Sequence, residues 1–378
     1  MTGSKPNNDD LAWTVGSHCL ALDGIRGLAI LVVTIYRFCQ MLEPKSVPWI
    51  ADVASLSKIG SRGVDLFFVL SGFLITGILL KTKSKPCYLR NFYVRRTLRI
   101  FPLYFLSLLL FLFIVPWLTG TKEFERPLAL QGYLWTYTSN LYMSWVNQWC
   151  FGPMDHFWSL AIEEHFYLVW PLIVLWLSRK SLAWFTIAGI AAVVTARTFT
   201  ALFSGTDVSL DVFTLFRADS LLIGAFLAQV IDRIDYRPWI VRFSWIGLPV
   251  LAILIAIARL LGQRWLELPN TLCPLFCFCF MAIVLLSRRK SAIVSMVSAR
   301  HFRVLGKYSY GMYVIQLPLA SLLPFTVFCG IDSNLALGSV VYVMGMSLVT
   351  LGLAMVSYHA FEVYFLRMKD RFSSEHSQ

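Results

Sequence analysis

The stretch GVDLFFVLSGFLITGILL (63–80) runs for eighteen residues with one charged side chain, Asp65. A helix needs about 20 mostly apolar residues to cross a hydrocarbon core roughly 30 Å thick, so this run reads as a membrane crossing. Working outward from it, runs of similar character lie near 24–42, 61–80, 100–119, 157–178, 181–204, 211–231, 239–262, 268–287, 308–330 and 337–361. They fill most of a 378-residue chain that is 57% hydrophobic and 14% charged, where soluble domains run at roughly 45–50% and about 25%. A water-soluble enzyme is excluded. The expected fold is all-α: a polytopic membrane protein with about ten transmembrane helices. Loops are short, and no repeat or Gly/Ser linker divides the chain, so one membrane-embedded domain is expected over 1–378, with polar ends at 1–22 and 366–378.

An eleventh segment, LALQGYLWTYTSNLYMSWV (128–146), is rich in Tyr, Trp, Thr, Ser and Asn. That composition suits an interface or a cavity lining, and the segment is read as not spanning. Charge supports this count. With ten spans and both termini cytoplasmic, inside segments hold 22 Lys and Arg and outside segments six, with five arginines within spans. Counting 128–146 as a crossing would place the basic loops outside. The N-terminus is polar and acidic before the first apolar run, so no removable signal peptide is expected and the first span stays in the mature protein.

The formal net charge of +12 reports loop orientation and anionic headgroups, and no aromatic-interleaved basic stripe points to nucleic acid. The eight cysteines are scattered and form neither a disulfide framework nor CxxC pairs. Cys273 and Cys277 share a helical face, yet no His lies nearby and Glu267 is the nearest carboxylate, so buried thiols are expected and no metal.

Ionisable groups inside spans cost about 2.5–3.5 kcal/mol each on insertion scales, which makes them candidates for function. Arg26 and Arg37 are eleven residues apart, close to three helical turns, and share one face of the first span. Snorkelling accounts for Arg26 but poorly for Arg37, deep in GLAILVVTIYRF, which needs an internal partner. In FYVRRTLRIFPLY, Arg95, Arg96 and Arg99 stand beside aromatics. Guanidinium forks match phosphate oxygens and stack on planar bases, so a nucleotide-bearing molecule fits as well as a positive-inside loop does. In DHFWSLAIEEHFYLVWP, five ionisable groups, Asp155, His156, Glu163, Glu164 and His165, open the fourth span. His156 and Glu163 would share a helical face, and an imidazole oriented by a carboxylate is suited to taking a proton from a hydroxyl. Asp65, the pair Arg217/Asp219 and Glu362 are expected to support helix packing, Asp65 and Glu362 as counter-ions for the buried arginines.

These residues resemble the acyltransferase-3 family of integral-membrane acyltransferases. The likeness runs through LDGIRGLAILVV (22–33), GVDLFFVLSGFLIT (63–76), FYVRRTLRIFPLY (92–104), HFWSLAIEEHFYLVWP (156–171), FRADSLLIGAFLA (216–228) and LGKYSYGMYVIQLP (305–318), six long elements in order. The resemblance implies an acyl-CoA (acetyl-CoA) donor on the cytoplasmic side, no permanently bound cofactor, and a carbohydrate or lipid-linked acceptor, in the bacterial inner membrane. It places Arg26, Arg96 and Arg99, with Arg95 beside them, near the donor, and His156 with Glu163 and Glu164 at the chemistry.

Three positions depart from the family pattern. Arg37 replaces a histidine eleven residues after the first-span arginine, Gln316 stands where His often precedes Pro, and His165 stands where Gln is common. Arginine does not act as a general base at physiological pH. One reading keeps an acyltransferase in which His156 activates the acceptor and Arg37 stabilises an oxyanion or the donor. A second is a non-catalytic relative that binds acyl-CoA or a glycolipid as a sensor or partner subunit. A third, a transporter, would call for an inverted repeat and broken helices, which the sequence does not display.

Overall fold

The computed structural model describes residues 11–13, 19–43, 47–204, 207–260, 268–326 and 335–372. Lys5, Lys45, Arg264, Glu267 and Cys329, which entered the charge and cysteine readings, lie outside the described residues, as do most of the N-terminal polar end and residues 373–378. Eighteen α-helices are described, joined by short 3₁₀ and π turns, and no strand occurs among the described residues. An isolated antiparallel bridge pairs Leu11 with Arg288.

Five helical segments are long and apolar enough to cross a membrane: Pro48–Thr82, Tyr88–Thr119, Arg179–Phe203, Ile234–Ala258 and Leu335–Met368. The other five apolar runs are helical too but shorter or more charged, as with the 17-residue helix Thr214–Val230 and the helix carrying Glu163, Glu164 and His165. Segment 128–146 breaks into pieces of at most eight residues. At 1.5 Å per residue none of them crosses a bilayer.

The chain folds as two compact units, 1–29, 65–81 and 169–307 in one, 30–64, 82–168 and 308–378 in the other. The first unit contains the start of α1 (Leu20–Gln40), nearly all of α3 (Gly63–Thr82), the end of α9 (Phe157–Trp176), α10 (Arg179–Ser204), α11 (Asp207–Val212), α12 (Thr214–Val230), α13 (Arg237–Leu260), α14 (Leu268–Leu286), α15 (Ala292–Val297) and the start of α16 (Arg300–Leu322). Its core joins Ile25, Val69, Phe73, Leu227, Met281 and Leu285. Helices α3 and α12 cross where each offers a glycine. A methyl at Gly72 would overlap the Leu221 carbonyl oxygen, and one at Gly224 the Val69 carbonyl oxygen. Small residues at such crossings let backbones approach and gain dispersion contact that lipid tails cannot outcompete. On α13, Trp239, Phe243, Trp245, Ile246 and Ile253 are exposed, a patch that water would penalise and hydrocarbon does not.

Buried charge in this unit is paired. Arg217 donates to Asp65 and, at 3.3 Å, to Asn270, while Arg197 donates to Asp219 at 2.8 Å and to Thr271. This corrects the expectation that Arg217 pairs with Asp219. Residues two apart on a helix point to nearly opposite sides, so each finds its partner on another element. It bears out Asp65 as the counter-ion of a buried arginine, Arg217.

The second unit contains the end of α1, α2 (Pro48–Ser57), α4 (Tyr88–Leu109), α5 (Val115–Thr119), α6 (Glu125–Ala129), α7 (Gln131–Trp135), α8 (Ser139–Val146), the start of α9, most of α16, α17 (Leu335–Ser357) and α18 (Val363–Met368). Thr34 of α1 donates to Gln316 Oε1 of α16 at 3.1 Å, and Gln40 Nε2 donates to the Ala54 carbonyl at 2.6 Å. Phe38, Leu42, Ile50, Phe325, Tyr342 and Met346 form an apolar cluster around these ties.

Candidate functional site

Helix α16 organises the second unit's polar interior. It carries Tyr310, Tyr313 and Leu317 along one side within about 10 Å of rise, and each meets a different group of residues.

The middle level centres on His156, fully buried just ahead of α9. Its Nε2 lies 3.3 Å from the Val314 carbonyl oxygen. In a regular helix that oxygen would accept from the N–H of residue 318, but residue 318 is proline and has none. The imidazole therefore supplies the proton that the helix lacks. A carbonyl only accepts, so Nε2 carries the hydrogen and Nδ1 carries the lone pair. Nδ1 is buried and makes no hydrogen bond of good geometry. The ring packs against Phe157 at 4.4 Å and Tyr313 at 5.4 Å between centroids. The Tyr313 hydroxyl lies 3.0 Å from the His156 carbonyl oxygen and 2.5 Å from Ser159 Oγ, and it accepts from Arg37.

Arg37 thus has the internal partner it needs. It sits in the last turn of α1, where the helix dipole favours a cation, with its guanidinium 5.2 Å from the Tyr36 ring centroid. Its charge acts on both Asp155 and His156. Burial, helped by Arg37, pushes the His156 imidazole down to about 3, so it is neutral near pH 7. Burial pushes the Asp155 carboxyl up to about 6 against the opposing pull of the Phe151 N–H, 2.7 Å from Oδ1, and of Arg37 and Arg126.

The geometry differs from the expectation that Glu163 or Glu164 orients His156. Seven residues along a helix is about 10 Å of rise, too far for contact, and the orienting acceptor is a backbone carbonyl. The carboxylates belong to a second level. Arg96 lies within electrostatic reach of Glu163, Glu164, Tyr167 and Arg99, and its guanidinium stands 5.8 Å from both the Phe92 and Tyr167 ring centroids. Tyr167 donates to Glu163 Oε2 at 3.0 Å, whereas Glu164 Oε1 is buried without a hydrogen bond. Around Glu164 stand Tyr104, Tyr137 and Tyr310. Tyr137, with φ +55°, stacks on Tyr104 at 4.2 Å, and Tyr310 donates to the Ile100 carbonyl at 2.6 Å. Glu362 faces Arg99 and accepts from Ser357 at 3.2 Å.

Arg26 belongs to the first unit and stands 3.8 Å from Asp23, and Arg95 is half-buried on α4. His165 faces the Tyr137 backbone. Ser159, Tyr310 and Tyr313 were not singled out from sequence although they lie within HFWSL and KYSYGMY. The signal for Tyr310 and Tyr313 is helical spacing on α16, and for Ser159 its place three residues after His156, each informative only once the partner helix is known.

Comparison with known proteins follows the same stretch of chain. The family model described as an acyltransferase domain, acyltransferase-3, matches residues 20–359. The O-acetyltransferase OatA of Staphylococcus aureus is 26% identical over 329 residues, covering 79% of this chain and 50% of its own length. The peptidoglycan O-acetyltransferase OatA of Listeria monocytogenes is 29% identical over 323 residues, covering 80% of this chain and 49% of its own. The chain therefore spans about half the length of these relatives. A putative O-acetyltransferase of S. aureus is 31% identical over 163 residues, 40% of this chain and 24% of its own length. No solved structure matches. With its helices, its several apolar crossings and a family match reaching from α1 to the turn after α17, the chain belongs to the acyltransferase-3 family of multi-pass membrane proteins.

Proposed function

We propose that this protein moves an acyl group, acetyl in the simplest case, from acyl-CoA to a hydroxyl of a sugar, glycolipid or cell-envelope acceptor. The proposal includes ten crossings, both termini cytoplasmic, and residence in the bacterial inner membrane. The observation that carries it is His156: a neutral, fully buried imidazole held at Nε2 by the Val314 carbonyl, beside the Arg37 guanidinium and the Tyr313 hydroxyl.

Acyl transfer needs three things there. A base takes the acceptor's proton as its oxygen attacks the acyl carbonyl carbon, and His156 Nδ1 is that base. The carbonyl oxygen gains negative charge, which Arg37 stabilises in a site shielded from water. Collapse of the tetrahedral species breaks the carbon–sulfur bond and releases CoA. Arg96 and Arg99, with Arg95 beside them, bind the donor's phosphates, and Glu163 and Glu164 hold Arg96 in place. In this mechanism the base that the family histidine would have supplied comes from the turn just ahead of α9, and residue 37 becomes an electrophilic partner.

Purified protein in proteoliposomes, given labelled acetyl-CoA and a mixture of envelope glycans, tests this by release of free CoA. Wild type should release it well above His156→Ala and Arg96→Ala. If wild type binds acetyl-CoA and releases CoA only after Arg37→His, the chain is a non-catalytic binding relative. If no variant binds acetyl-CoA, the donor is wrong.

A further inference from the structure

Three tyrosines stand within electrostatic reach of Glu164 in the second unit: Tyr104 on α4, Tyr137 between α7 and α8, and Tyr310 on α16. Two of these phenols are engaged, Tyr104 donating to the Leu134 carbonyl at 2.7 Å and Tyr310 to the Ile100 carbonyl at 2.6 Å. The Tyr137 hydroxyl is buried without a hydrogen bond, and so is Glu164 Oε1. Tyr137 is 7% exposed and takes its place with φ +55°, a left-handed conformation that a bulky residue keeps only where its surroundings hold it. Buried polar groups are nearly always satisfied by protein, water or a ligand. An acceptor and a donor are thus left open at one aromatic level. That level lies between the two parts of the proposed reaction. On α4, Ile100 is one turn, about 6 Å, beyond Arg96, and on α16, Tyr310 is about 5 Å short of Tyr313, which donates to the His156 carbonyl. Glu164 follows His156 by eight residues, about 12 Å of rise.

We propose that Glu164 and Tyr137 bind the outer amide of the donor's pantetheine arm, its N–H donating to Glu164 Oε1 and its carbonyl oxygen accepting from the Tyr137 hydroxyl. The inference rests on the acyl-CoA reading above and adds the residues that recognise the carrier between its phosphates and its thioester. A carboxyl oxygen accepts and a phenol donates, and a secondary amide offers the complement of each on one rigid unit. The spacing of the arm agrees. Its outer amide nitrogen is seven bonds from the sulfur, about 8–9 Å when extended, and the amide carbon is five bonds from the first phosphorus, about 6 Å. These lengths match the rise from the Glu164 level to His156 on one side and to Arg96 on the other. A site that bonds both faces of an amide rejects a carrier lacking it, because its own buried groups are then left unpaired.

The test uses the full chain in nanodiscs and measures binding by saturation-transfer NMR with two probes, pantetheine and its analogue carrying an ester oxygen in place of the outer amide nitrogen. CoA release from acetyl-CoA is followed in parallel. The ester keeps the carbonyl, lacks the N–H and sets an oxygen against Glu164 Oε1. Wild type should bind pantetheine about tenfold or more tighter than the ester. Glu164→Leu should bring that ratio close to one, whereas Tyr137→Phe should weaken both probes about fivefold and leave the ratio in place. The ratio is internal to each variant, so a loss of folded protein does not alter it. Equal binding of the two probes by wild type, a ratio that survives Glu164→Leu, or undiminished binding in Tyr137→Phe overturns the amide subsite and assigns the open atoms to water. Absence of pantetheine binding while CoA release persists overturns the subsite and leaves the acyl-transfer reading standing. The expected binding pattern without CoA release supports the subsite and removes the acyl-transfer reading, and absence of both removes both.

Discussion

His156 Nε2 donates to the Val314 carbonyl oxygen at 3.3 Å, and that oxygen is free to accept because residue 318 is proline. The helix gap and the imidazole's orientation are one feature. Pro318→Ala would restore an N–H that competes for Val314 and would release the ring, while relieving a helix of an interior proline. Thermal stability in detergent should hold or rise, and kcat for acyl transfer should fall about tenfold or more, with the donor's KM unchanged. A variant that keeps wild-type kcat would show that the Val314 contact does not position His156.

Much of this was legible in the sequence, and the gaps have a common cause. Apolar runs gave the helices, and the polar composition of 128–146 gave a segment that does not cross. The residues of the site were visible as types: His156 and the two glutamates stood out because ionisable groups are rare in apolar runs. Their partners did not. Arg217 has Asp219 two residues away in sequence, yet its ion pair is with Asp65, 152 positions earlier. The proline that frees Val314 was in plain view in IQLP, but its consequence depends on what faces it. Patterns along one helix reveal which side chains share a face and leave open which helix that face meets.

The buried pair Asp65–Arg217 yields a stability prediction. Their side chains are 1% and 4% exposed. Removing one partner from such a pair leaves the other charge uncompensated and costs about 3–5 kcal/mol, whereas replacing both by apolar groups of similar size costs far less. Asp65→Leu and Arg217→Met should each lower the melting temperature sharply in detergent, and the double variant should recover most of the loss. Equal loss in the double and single variants would mean the pair acts through its neighbours, Asn270 among them.

The crossing of α3 and α12 makes a steric prediction. Gly72→Ala and Gly224→Ala each place a methyl against a main-chain carbonyl on the opposite helix. Backbone cannot move aside as a flexible side chain does, so each substitution should destabilise by about 1–3 kcal/mol. Gly345→Ala, where nothing lies within 4 Å of the added carbon, is the control and should be neutral or mildly stabilising. Thermal shifts that are the same at all three positions would refute close approach at the crossing.

Kinetics separate the proposed donor site from the proposed chemistry. Arg96 and Arg99 belong to the level of Glu163, Glu164 and Glu362, away from His156. Arg96→Ala and Arg99→Ala should raise the KM for acetyl-CoA about tenfold or more with a smaller change in kcat, because charge-assisted contacts to phosphate bind ground and transition states alike. Arg96→Lys should recover only part of the loss, since the ring-flanked guanidinium is planar and the ammonium is not. A pure kcat effect with unaltered KM would move these arginines from donor binding to the reacting atoms.

Arg37 sets a pH signature. The imidazole of His156 has its pKa lowered to about 3 from 6.5, so the stability it lends is present above pH 6.5 and is lost as pH falls from there toward 3. The carboxyl of Asp155 is raised to about 6 from 3.8, so its contribution is present below 3.8 and is lost as pH rises through 6. Over pH 5–9 His156 stays in its basic form, and Asp155 contributes to kcat/KM an acid-side change near pH 6. Asp155→Asn should abolish that change. Arg37 opposes protonation of both groups, so Arg37→Gln should move it to higher pH and lift the imidazole toward its ordinary range. Burial also pushes the Glu362 carboxyl up to about 7. An acid limb near 6.5 that survives both Asp155→Asn and Glu362→Gln and that moves with Arg37→Gln would mean that His156 itself titrates there and that its burial beside Arg37 does not hold it neutral.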